Sequence, residues 1–313
     1  MTHLPSAAVV AATALSGSGT AVLTPAGDPE REGGRLAVLH ARTSTGDLVV
    51  VASASAVRAL GLGAGEGLGA GEGLGAGEQE DAAARLEVVV EAALPDLTVP
   101  RAQVVVDGWV RLAAPHEAAG ALGAVCAAGD LADLAGAWPD ARVLLLDAGA
   151  VRLHWPEGCS EVAVEDLRAA APDPVALREA HVLERVEAEL GDRLVGLVRA
   201  MGHAHPAPGG RGAGVAGRDL GRVGEVHCVG ADRTGLLLRC RADEPWEGLG
   251  AGCRCAGHDG AGCPASTTAT LRLLFPVPVA DADAAVDALA LMVLGASGGG
   301  AARCPYAPGA APA

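Results

Sequence analysis

Aromatic residues are scarce in this sequence. Among its 313 residues there are one Phe, one Tyr and four Trp, although half of the chain is hydrophobic. A sizeable core can therefore form, and it must be built mostly from Ala, Val and Leu. A chain of this length is expected to fold into two domains, because single domains usually contain about 100 to 200 residues.

Positive charge and long hydrophobic runs are also lacking. The chain has 23 Lys and Arg against 38 Asp and Glu, which gives a formal net charge of −15 at pH 7. Nucleic acids and anionic membrane surfaces would repel such a protein, so neither is expected as a partner. No run of 18 or more apolar residues occurs, so no transmembrane helix is predicted. The N-terminal apolar stretch has no preceding Lys or Arg, so a secretory signal is not expected.

The sequence has neither a disulfide framework nor a familiar catalytic motif. Its eight cysteines are scattered over the chain, which favours reduced thiols and a cytoplasmic location. The motifs GxSxG, HExxH and CxxC do not occur, so no catalytic residue is identified. The threefold repeat GLGAGE within residues 61–79 is predicted to be a flexible loop, because its glycine spacing does not match a phosphate-binding GxGxxG motif.

The first half of the chain is predicted to be β-rich. Short runs rich in β-branched residues alternate with turn residues, which favours a β-barrel or a sandwich. The four consecutive apolar residues Leu48–Val51 predict a strand that is covered on both faces. Helices are expected at Leu4–Leu15 and from His116 to about Ala137. The predicted strands are Thr20–Thr24, Arg35–Ala41, Asp47–Ser53, Arg85–Ala93, Ala102–Leu112, Arg142–Leu146, Val151–Trp155 and Glu161–Val164, with an Asp-Ala-Gly turn between Arg142–Leu146 and Val151–Trp155.

The second half begins with a predicted amphipathic helix, Pro172–Met201. Asp173 is the expected N-cap, and Pro174 occupies the first helical position. One face carries an apolar stripe formed by Leu183, Val186, Leu190, Leu194, Leu197 and Met201.

Three strands and a second helix are predicted after this helix. The strands are Val223–Val229, Leu236–Cys240 and Thr268–Phe275, and Asp281 is the expected cap of the last helix. The order α-β-β-β-α predicts two helices on one face of a small antiparallel sheet.

Three segments of the second half resemble a known domain. They are PDPVALREAHVLERVEAELGDRLVGLV, VGADRTGLLLRC and LRLLFPVPVADADAAVDAL. They resemble the C-terminal domain of heme-utilisation (HugZ-like) proteins, which also ends many actinobacterial proteins and a plant chloroplast protein that binds glutamyl-tRNA reductase. The first half, with DGWVRL and VLLLDAGAVRLHW, is similar to the divergent split β-barrel that accompanies this domain in pyridoxamine-phosphate-oxidase-like flavin proteins.

The resemblance implies an α+β protein with two domains. Residues 1–170 would form an N-terminal split β-barrel of the flavin-reductase type. Residues 171–295 would form the small α-β-β-β-α domain, with an insertion at 243–266 and a disordered tail at 296–313. The family's first helix usually carries an Asn-Glu-Asp-His run, but the histidine is missing here: the corresponding residues are Glu187, Ala188, Glu189 and Leu190, and Asp192 matches two residues later.

The resemblance also implies a ligand and an assembly. The expected ligand is a flavin such as FMN or a tetrapyrrole such as heme, bound between the two subunits of a homodimer. Ser53, Ser55 and Arg58 are the nearest equivalents of the residues that hold the flavin phosphate, although one arginine is little charge for a dianion. His203 and His205 could supply an axial ligand to heme, or they could belong to a polar linker.

A cluster of soft ligands lies in the segment CRCAGHDGAGC. Cys253, Cys255, His258 and Cys263 provide the four N and S ligands that Zn²⁺ prefers. The Cys-x-Cys spacing is tighter than in ordinary zinc knuckles, so the alternative is a solvated loop without metal.

Two other pairs of soft ligands occur on predicted strands. Because side chains alternate along a strand, either His227 or Cys228 should face the core, and the thiol is expected to do so. His154 and Trp155 end a strand near Cys159, where either a pocket at the barrel mouth or packing at the sheet edge is expected.

Three functions remain open from the sequence. The first is a binding protein for a flavin or tetrapyrrole with little or no catalysis. The second is an enzyme, either an FMN-dependent oxidoreductase or a heme-degrading oxygenase. The third is a regulatory module that binds another protein.

Overall fold

The computed structural model describes residues 4–26, 34–62, 81–92, 100–128, 140–155, 158–204, 220–242 and 268–297. These residues belong to two compact units. The first unit comprises Pro5–Ala92 and Asp96–Asp173, and the second contains Pro174–Ala313 with two short segments from earlier in the chain. The predicted loop 61–79, insertion 243–266 and tail 296–313 lie outside the described residues, apart from the first two residues of the loop and of the tail. The predicted domain boundaries stay predictions.

The first unit is a closed antiparallel barrel of six strands with one additional strand. The strand order is β3-β2-β1-β4-β5-β6, β3 pairs with β6 to close the barrel, and β7 extends the sheet beyond β6. The elements are α1 Ala7–Ala14, β1 Thr20–Pro25, β2 Leu36–Arg42, β3 Leu48–Ala52, α2 Ala54–Ala59, β4 Asp81–Glu91, β5 Pro100–Leu112, α3 Pro115–Ala128, β6 Arg142–Trp155, β7 Gly158–Val162 and α4 Val164–Ala169.

The prediction of two strands around an Asp-Ala-Gly turn is wrong, because β6 is one continuous strand. Gly108 of β5 pairs with Ala148, and Asp107 pairs with Ala150, so Gly149 is an extra residue in β6. Such a β-bulge absorbs one residue and bends the strand without ending it. The two backbones are also very close here: a Cβ on Gly108 would lie 2.1 Å from the carbonyl oxygen of Asp147. Glycine at position 108 therefore lets the strands meet.

Strand β3 is buried on both faces, as its apolar run predicts. All five of its residues are buried. Leu48, Val50 and Ala52 belong to the barrel core, whereas Val49 and Val51 pack outside the barrel against α3. The helix therefore covers the outer face of this strand.

The second unit has the predicted order α-β-β-β-α. Its elements are α5 Glu179–Ala204, β8 Val223–Asp232, β9 Gly235–Ala242, β10 Thr268–Leu274 and α6 Ala282–Ser297. The sheet is antiparallel with the order β10-β9-β8, and both helices contribute to one core with it. The α+β prediction, a barrel followed by a small sheet with helices, is thus confirmed. The described residues include no helix long and apolar enough to cross a membrane.

The start of the long helix differs from the prediction. A 3₁₀ turn occupies Ala176–Arg178, and α5 begins at Glu179 rather than at Pro174. The Glu179 carboxylate accepts the backbone N–H of Ala231 at 2.7 Å, which joins the helix start to β8. The backbone N–H of Asp173 donates to the Thr13 hydroxyl within the first unit, and its role as N-cap stays a prediction. The α-helix proper thus begins five residues after the predicted first position, at a residue that also contacts β8.

The apolar stripe and the cap of the last helix are confirmed. The stripe from Leu183 to Leu197 is buried in the core of the second unit, and Met201 is partly buried against it. Asp281 accepts the backbone N–H of Ala284 at 2.9 Å at the start of α6, as an N-cap does.

Candidate functional site

The barrel interior is filled with side chains. Large residues that point inward, such as Leu23, Leu86, Leu144 and Leu153, are fully or almost fully buried in one continuous core. Small barrels of this kind have an interior just wide enough for side chains. A site for a large ligand on this unit is therefore to be sought on its outer surface.

Trp109 is the most conspicuous side chain on that surface. It lies on β5, opposite Ala83 of β4 and Asp147 of β6, and 56% of the residue is exposed. Its ring has room because position 149 is glycine: a Cβ there would approach Trp109 Cζ3 to 3.2 Å. An exposed indole offers a flat apolar face to a ligand, and Trp109 is one of only four tryptophans in the chain.

A cleft of about 720 Å³ lies on one side of Trp109. Its floor is apolar and includes Leu48, Leu146 and Leu167. Its rim carries four carboxylates and two guanidinium groups, a net charge of −2. The charged residues are Asp47, Asp81, Glu117, Asp147, Arg111 and Arg168. Such a rim favours neutral or cationic ligands and disfavours dianions.

Ion pairs hold the rim of this larger cleft. Arg111 donates to both carboxylate oxygens of Glu117, at 2.7 and 2.8 Å, and Glu117 also accepts the Ala114 backbone N–H at 2.8 Å. These hydrogen bonds, the one from Arg111 first, lower the pKa of Glu117 to about 2. Arg168 donates to Asp147 at 2.9 Å. Both arginines therefore already have carboxylate partners.

An interior arginine fixes one wall of the larger cleft. Arg42 on β2 donates to the carbonyl oxygens of Leu167, Arg168 and Ala170 at 2.6 to 2.8 Å, at the C-terminal end of α4. A guanidinium at a helix C-terminus satisfies carbonyl groups that have no partner within the helix. Arg42 therefore ties α4 to the barrel.

A smaller cleft of about 500 Å³ lies on the other side of Trp109. Small residues line most of it: Ala26, Ala83, Ala84, Gly108, Gly149 and Ala150. At its edge Arg85 donates through Nε to Asp107 Oδ1 at 2.6 Å, and Arg152 donates to Asp107 Oδ2 at 3.0 Å. The hydrogen bond from Arg85 is the main reason why the pKa of Asp107 is lowered. The charged lining residues, Arg85 and Asp107, sum to zero, and Arg152 adds one positive charge next to them.

The residues predicted from the sequence do not line either cleft. Ser53 is the N-cap of α2, accepting the Ala56 backbone N–H at 3.2 Å, and its hydroxyl lies 2.8 Å from that of Ser55. Arg58 is exposed in the last turn of the same helix. The structure thus brings the two serines together, and the proposed phosphate role of the three residues stays a prediction.

The histidine and metal predictions lie largely outside the described residues. His203 belongs to the last turn of α5 in the second unit, and its side chain is not described. His205 and the predicted zinc ligands Cys253, Cys255, His258 and Cys263 are outside the described residues. Among those that are described, no group of three or more His, Cys, Asp or Glu is arranged to hold a metal ion.

The two predicted soft-ligand pairs have clear outcomes. Cys228 is buried and His227 is half-exposed beside Glu225, so the thiol faces the core as predicted. Trp155 packs against the barrel core, whereas His154 is exposed. Packing at the sheet edge therefore describes Trp155, and His154 remains available at the surface.

Sequence reasoning missed the residues around Trp109, although a signal was present. Asp107, Trp109 and Arg111 alternate along DGWVRL, so they share one face of β5, and the residues between them face the core or the neighbouring backbone. Polar and aromatic residues in strict alternation on a central strand indicate a solvent-facing side with a specific use. The partners Arg85 and Arg152 are assembled by strand pairing, which the sequence alone does not specify.

Comparisons with known proteins support the fold. Neither the protein-family models nor the curated proteins include a match. A solved heme binding protein from Mycobacterium smegmatis is similar over 94% of this chain and 98% of its own, with 21% identity and a TM-score of 0.50. A protein of unknown function from Agrobacterium tumefaciens aligns with 17% identity and a TM-score of 0.34, covering 94% of this chain and 99% of its own. The first similarity indicates that the two chains share a fold.

Proposed function

We propose that the smaller cleft binds a planar, anionic tetrapyrrole, heme or a related porphyrin, with little or no catalysis. The observation that carries the proposal is the exposed ring of Trp109 beside the Arg85–Asp107–Arg152 cluster. An indole offers a flat apolar face for stacking, and guanidinium groups bind carboxylates such as the propionates of heme.

Charge favours the smaller cleft over the larger one. The charged residues that line the smaller cleft, Arg85 and Asp107, sum to zero, whereas those at the rim of the larger cleft sum to −2. A ligand with two carboxylates is therefore repelled less by the smaller cleft, and Arg152 adds a positive charge beside it. FMN, with its dianionic phosphate, would require a stronger clamp than either cleft provides.

The arginines retain donors for a ligand. A guanidinium has five N–H donors, and the bond from Arg85 to Asp107 uses only the one on Nε. Asp107 orients both arginines while it accepts one hydrogen bond from each, so a carboxylate can bind their other donors with little reorganisation. The cleft volume, about 500 Å³, is also in the usual range for small-molecule sites.

The residues that line the smaller cleft fit the porphyrin ring and its carboxylates but not the iron. Heme iron is usually held by His, Cys, Met or Tyr, and the lining contains none of these. His203 and His205 stay the predicted iron ligands. If they do not bind iron, hemin and metal-free protoporphyrin IX should bind with similar affinity.

The fold comparison adds support of another kind. The Mycobacterium smegmatis protein of the same fold is a heme binding protein. This agrees with the resemblance to heme-utilisation proteins, which remains part of the proposal. A homodimer is proposed with it, since both clefts are open to solvent beside Trp109 and a second copy would cover a bound ligand.

The test is a titration of the full chain with hemin and with protoporphyrin IX, followed by the Soret band and by porphyrin fluorescence. Trp109→Ala should weaken binding of both ligands about tenfold, the loss of one aromatic stacking contact, while Trp109→Phe keeps most of the affinity. The double variant Arg85→Ala/Arg152→Ala should weaken it roughly 10- to 100-fold, because charge-assisted hydrogen bonds are lost. Arg111→Ala, in the larger cleft, is the matched control and should leave binding unchanged.

Two results would reject the proposal. If the wild-type chain changes neither spectrum, it is not a tetrapyrrole-binding protein. If Arg111→Ala weakens binding as much as the double variant does, the ligand does not occupy the smaller cleft. The variant His203→Ala/His205→Ala tests the iron ligands separately: a shifted Soret band with hemin and unchanged protoporphyrin binding would support them. Turnover of bound heme with a reductant and oxygen would show an oxygenase instead of a binding protein.

A further inference from the structure

His154 and Cys159 form a pair of soft ligands on the outer surface of the barrel. They are directly opposite each other on β6 and β7, both are exposed, and His154 Nε2 lies 3.9 Å from Cys159 Sγ. We propose that this pair binds a thiophilic divalent metal ion, with Zn²⁺ as the best fit. This site goes beyond the tetrapyrrole cleft and does not depend on it.

The separation of the two atoms suits zinc. Zinc binds sulfur at about 2.3 Å and imidazole nitrogen at about 2.0 to 2.1 Å in tetrahedral geometry, which places the two ligand atoms about 3.6 Å apart. The observed separation is 3.9 Å. A small side-chain rotation is therefore sufficient to bring both atoms into contact with one ion.

The backbone holds the pair in register. Five residue pairs connect β6 and β7, and Trp155 and Val162 anchor the two strands to the barrel core. Because a one-residue slip would turn Val162 out of the core, the hairpin has one favoured register. The two ligands are thus positioned before an ion arrives, which lowers the entropic cost of binding.

Glu161 is a candidate third ligand, and Arg152 lies directly opposite it on β6, where the two opposite charges can pair. Glu161 is exposed, lies two residues beyond Cys159 on the same face of β7, and is diagonal to His154 across the ladder. Diagonal neighbours in a sheet lie within reach of long side chains. The three groups are not preassembled as a metal-binding cluster in the described part of the chain, so Glu161 would rotate towards the ion and water would fill the remaining position. A site of this kind is open and exchangeable.

The donor set selects the class of ion. Thiolate and imidazole favour zinc and similar transition metals, whereas Mg²⁺ and Ca²⁺ prefer sites made of oxygen. Other described cysteines are less suitable. Cys228 and Cys240 are 4% and 1% exposed, and burial raises the pKa of Cys240 to about 11, so its thiolate is disfavoured.

The metal pair is separate from the proposed tetrapyrrole cleft. Ala150 lines the cleft, and His154 lies four residues further along β6. Four residues of an extended strand span about 13 Å. Arg152 lies between the two sites and opposite Glu161, but neither His154 nor Cys159 takes part in the tetrapyrrole proposal, so the two tests are distinguishable.

The test uses Co²⁺, which occupies zinc sites and reports thiolate ligands through a charge-transfer band in the near ultraviolet. The full chain, reduced and freed of metal, is titrated with Co²⁺, and Zn²⁺ is then added to displace it. Cys159→Ser should abolish the band of this site, and His154→Ala should weaken Co²⁺ binding by at least about tenfold. Glu161→Gln should have a smaller effect. His227→Ala, which removes another half-exposed strand histidine, should have none.

The segment with Cys253, Cys255 and Cys263 requires its own control, since it also contains thiols. The variant Cys253→Ser/Cys255→Ser/Cys263→Ser should keep a Co²⁺ band that Cys159→Ser then removes. If the band disappears in the triple variant and persists in Cys159→Ser, the ion binds in that segment and the present proposal is wrong. The proposal is also wrong if the wild-type chain shows no band that Zn²⁺ displaces.

Discussion

Two groups of charged side chains, one in each unit of this protein, serve different purposes. In the second unit, Asp232 accepts the backbone N–H of Thr234 at 2.8 Å and its hydroxyl at 2.5 Å, and it forms an ion pair with Arg272. The side chains of Arg272 and Asp232 are only 18% and 11% exposed. In the barrel, the corresponding figures for Arg85 and Asp107 are 52% and 36%.

This difference separates stability from binding. The buried pair fixes the turn between β8 and β9 and ties it to β10, and each of its charges would be costly without the other. The exposed cluster on the barrel contributes little to folding, because water and salt screen it. Its arginines lie beside an exposed aromatic ring, where their remaining donors can meet a ligand. The buried pair of the second unit therefore serves its shape, whereas the exposed cluster of the barrel is available to a ligand.

The largest effect on stability is expected when the aspartate of each group, Asp232 or Asp107, is replaced. Asp232→Ala should destabilise the second unit by about 3 kcal/mol, because Arg272 loses a carboxylate and the Thr234 N–H loses its acceptor in a nearly buried site. Asp107→Ala should destabilise the barrel by less than about 1 kcal/mol. Hydrogen exchange at the amides of β9 and β5, followed for each variant, measures the two effects in one chain.

Asp232→Asn serves as the milder variant, since it keeps an acceptor for Thr234 while it removes the charge. It should be destabilised less than Asp232→Ala. Similar losses for Asp232→Ala and Asp107→Ala would contradict the distinction between the units.

The sequence predicted the features that depend on periodicity. The stripe of α5 and the double burial of β3 follow from apolar spacing, and both are confirmed. The sequence Asp-Ala-Gly is compatible both with a turn and with a β-bulge, so it predicts the bulge at Gly149 wrongly as a turn. Only the register of β5 against β6 distinguishes the two. The first residue of α5, Glu179, contacts Ala231, some fifty residues away in the chain, and no local capping rule contains that contact.

The candidate site was the least predictable part. Trp109 is one of four tryptophans, and nothing in its local sequence shows that Gly149 makes room for its ring. Arg85, Asp107 and Arg152 are distant in sequence and meet only through strand pairing. Short motifs can therefore identify residue types, but the closing of the barrel determines which of them become neighbours.

The second-largest effect is expected on the stability of the barrel at acidic pH. His40 on β2 is 5% exposed, its Nε2 lies 3.0 Å from the Ala14 carbonyl oxygen, and burial lowers its pKa from 6.5. The unfolded chain therefore binds a proton more readily than the folded barrel does. The contribution of neutral His40 to the stability of the barrel is fully present above pH 6.5. It falls as the pH decreases towards the lowered pKa, by up to about 1.4 kcal/mol per pH unit. The second unit has half-exposed histidines, His181 and His227, in its described part.

His40→Gln tests this asymmetry, because glutamine can donate to the same carbonyl and does not titrate. The urea unfolding of the barrel is monitored by hydrogen exchange at pH 7 and at pH 5. The free energy of unfolding should depend less on pH in this variant than in the wild-type chain. His227→Ala is the matched control and should leave the pH dependence of the barrel unchanged. An equally steep loss in His40→Gln would assign the acid sensitivity to other groups.

The smallest effect concerns a surface carboxylate of the barrel, Glu117. Arg111 and the Ala114 backbone N–H lower its pKa to about 2, so it should remain ionised at a pH where most glutamates are protonated. The stability that it contributes is present above its ordinary pKa of 4.5 and is lost as the pH falls through that lowered value. A carboxyl-detected NMR titration should give a midpoint for Glu117 well below that of Glu225 in the second unit, whose pKa is lowered mainly by a hydrogen bond from His227.

In Arg111→Ala the Glu117 midpoint should rise towards 4.5, while the Glu225 midpoint stays constant because its partners are on another unit. A Glu117 midpoint that Arg111→Ala leaves unchanged would mean that the ion pair at the rim of the larger cleft does not persist in solution.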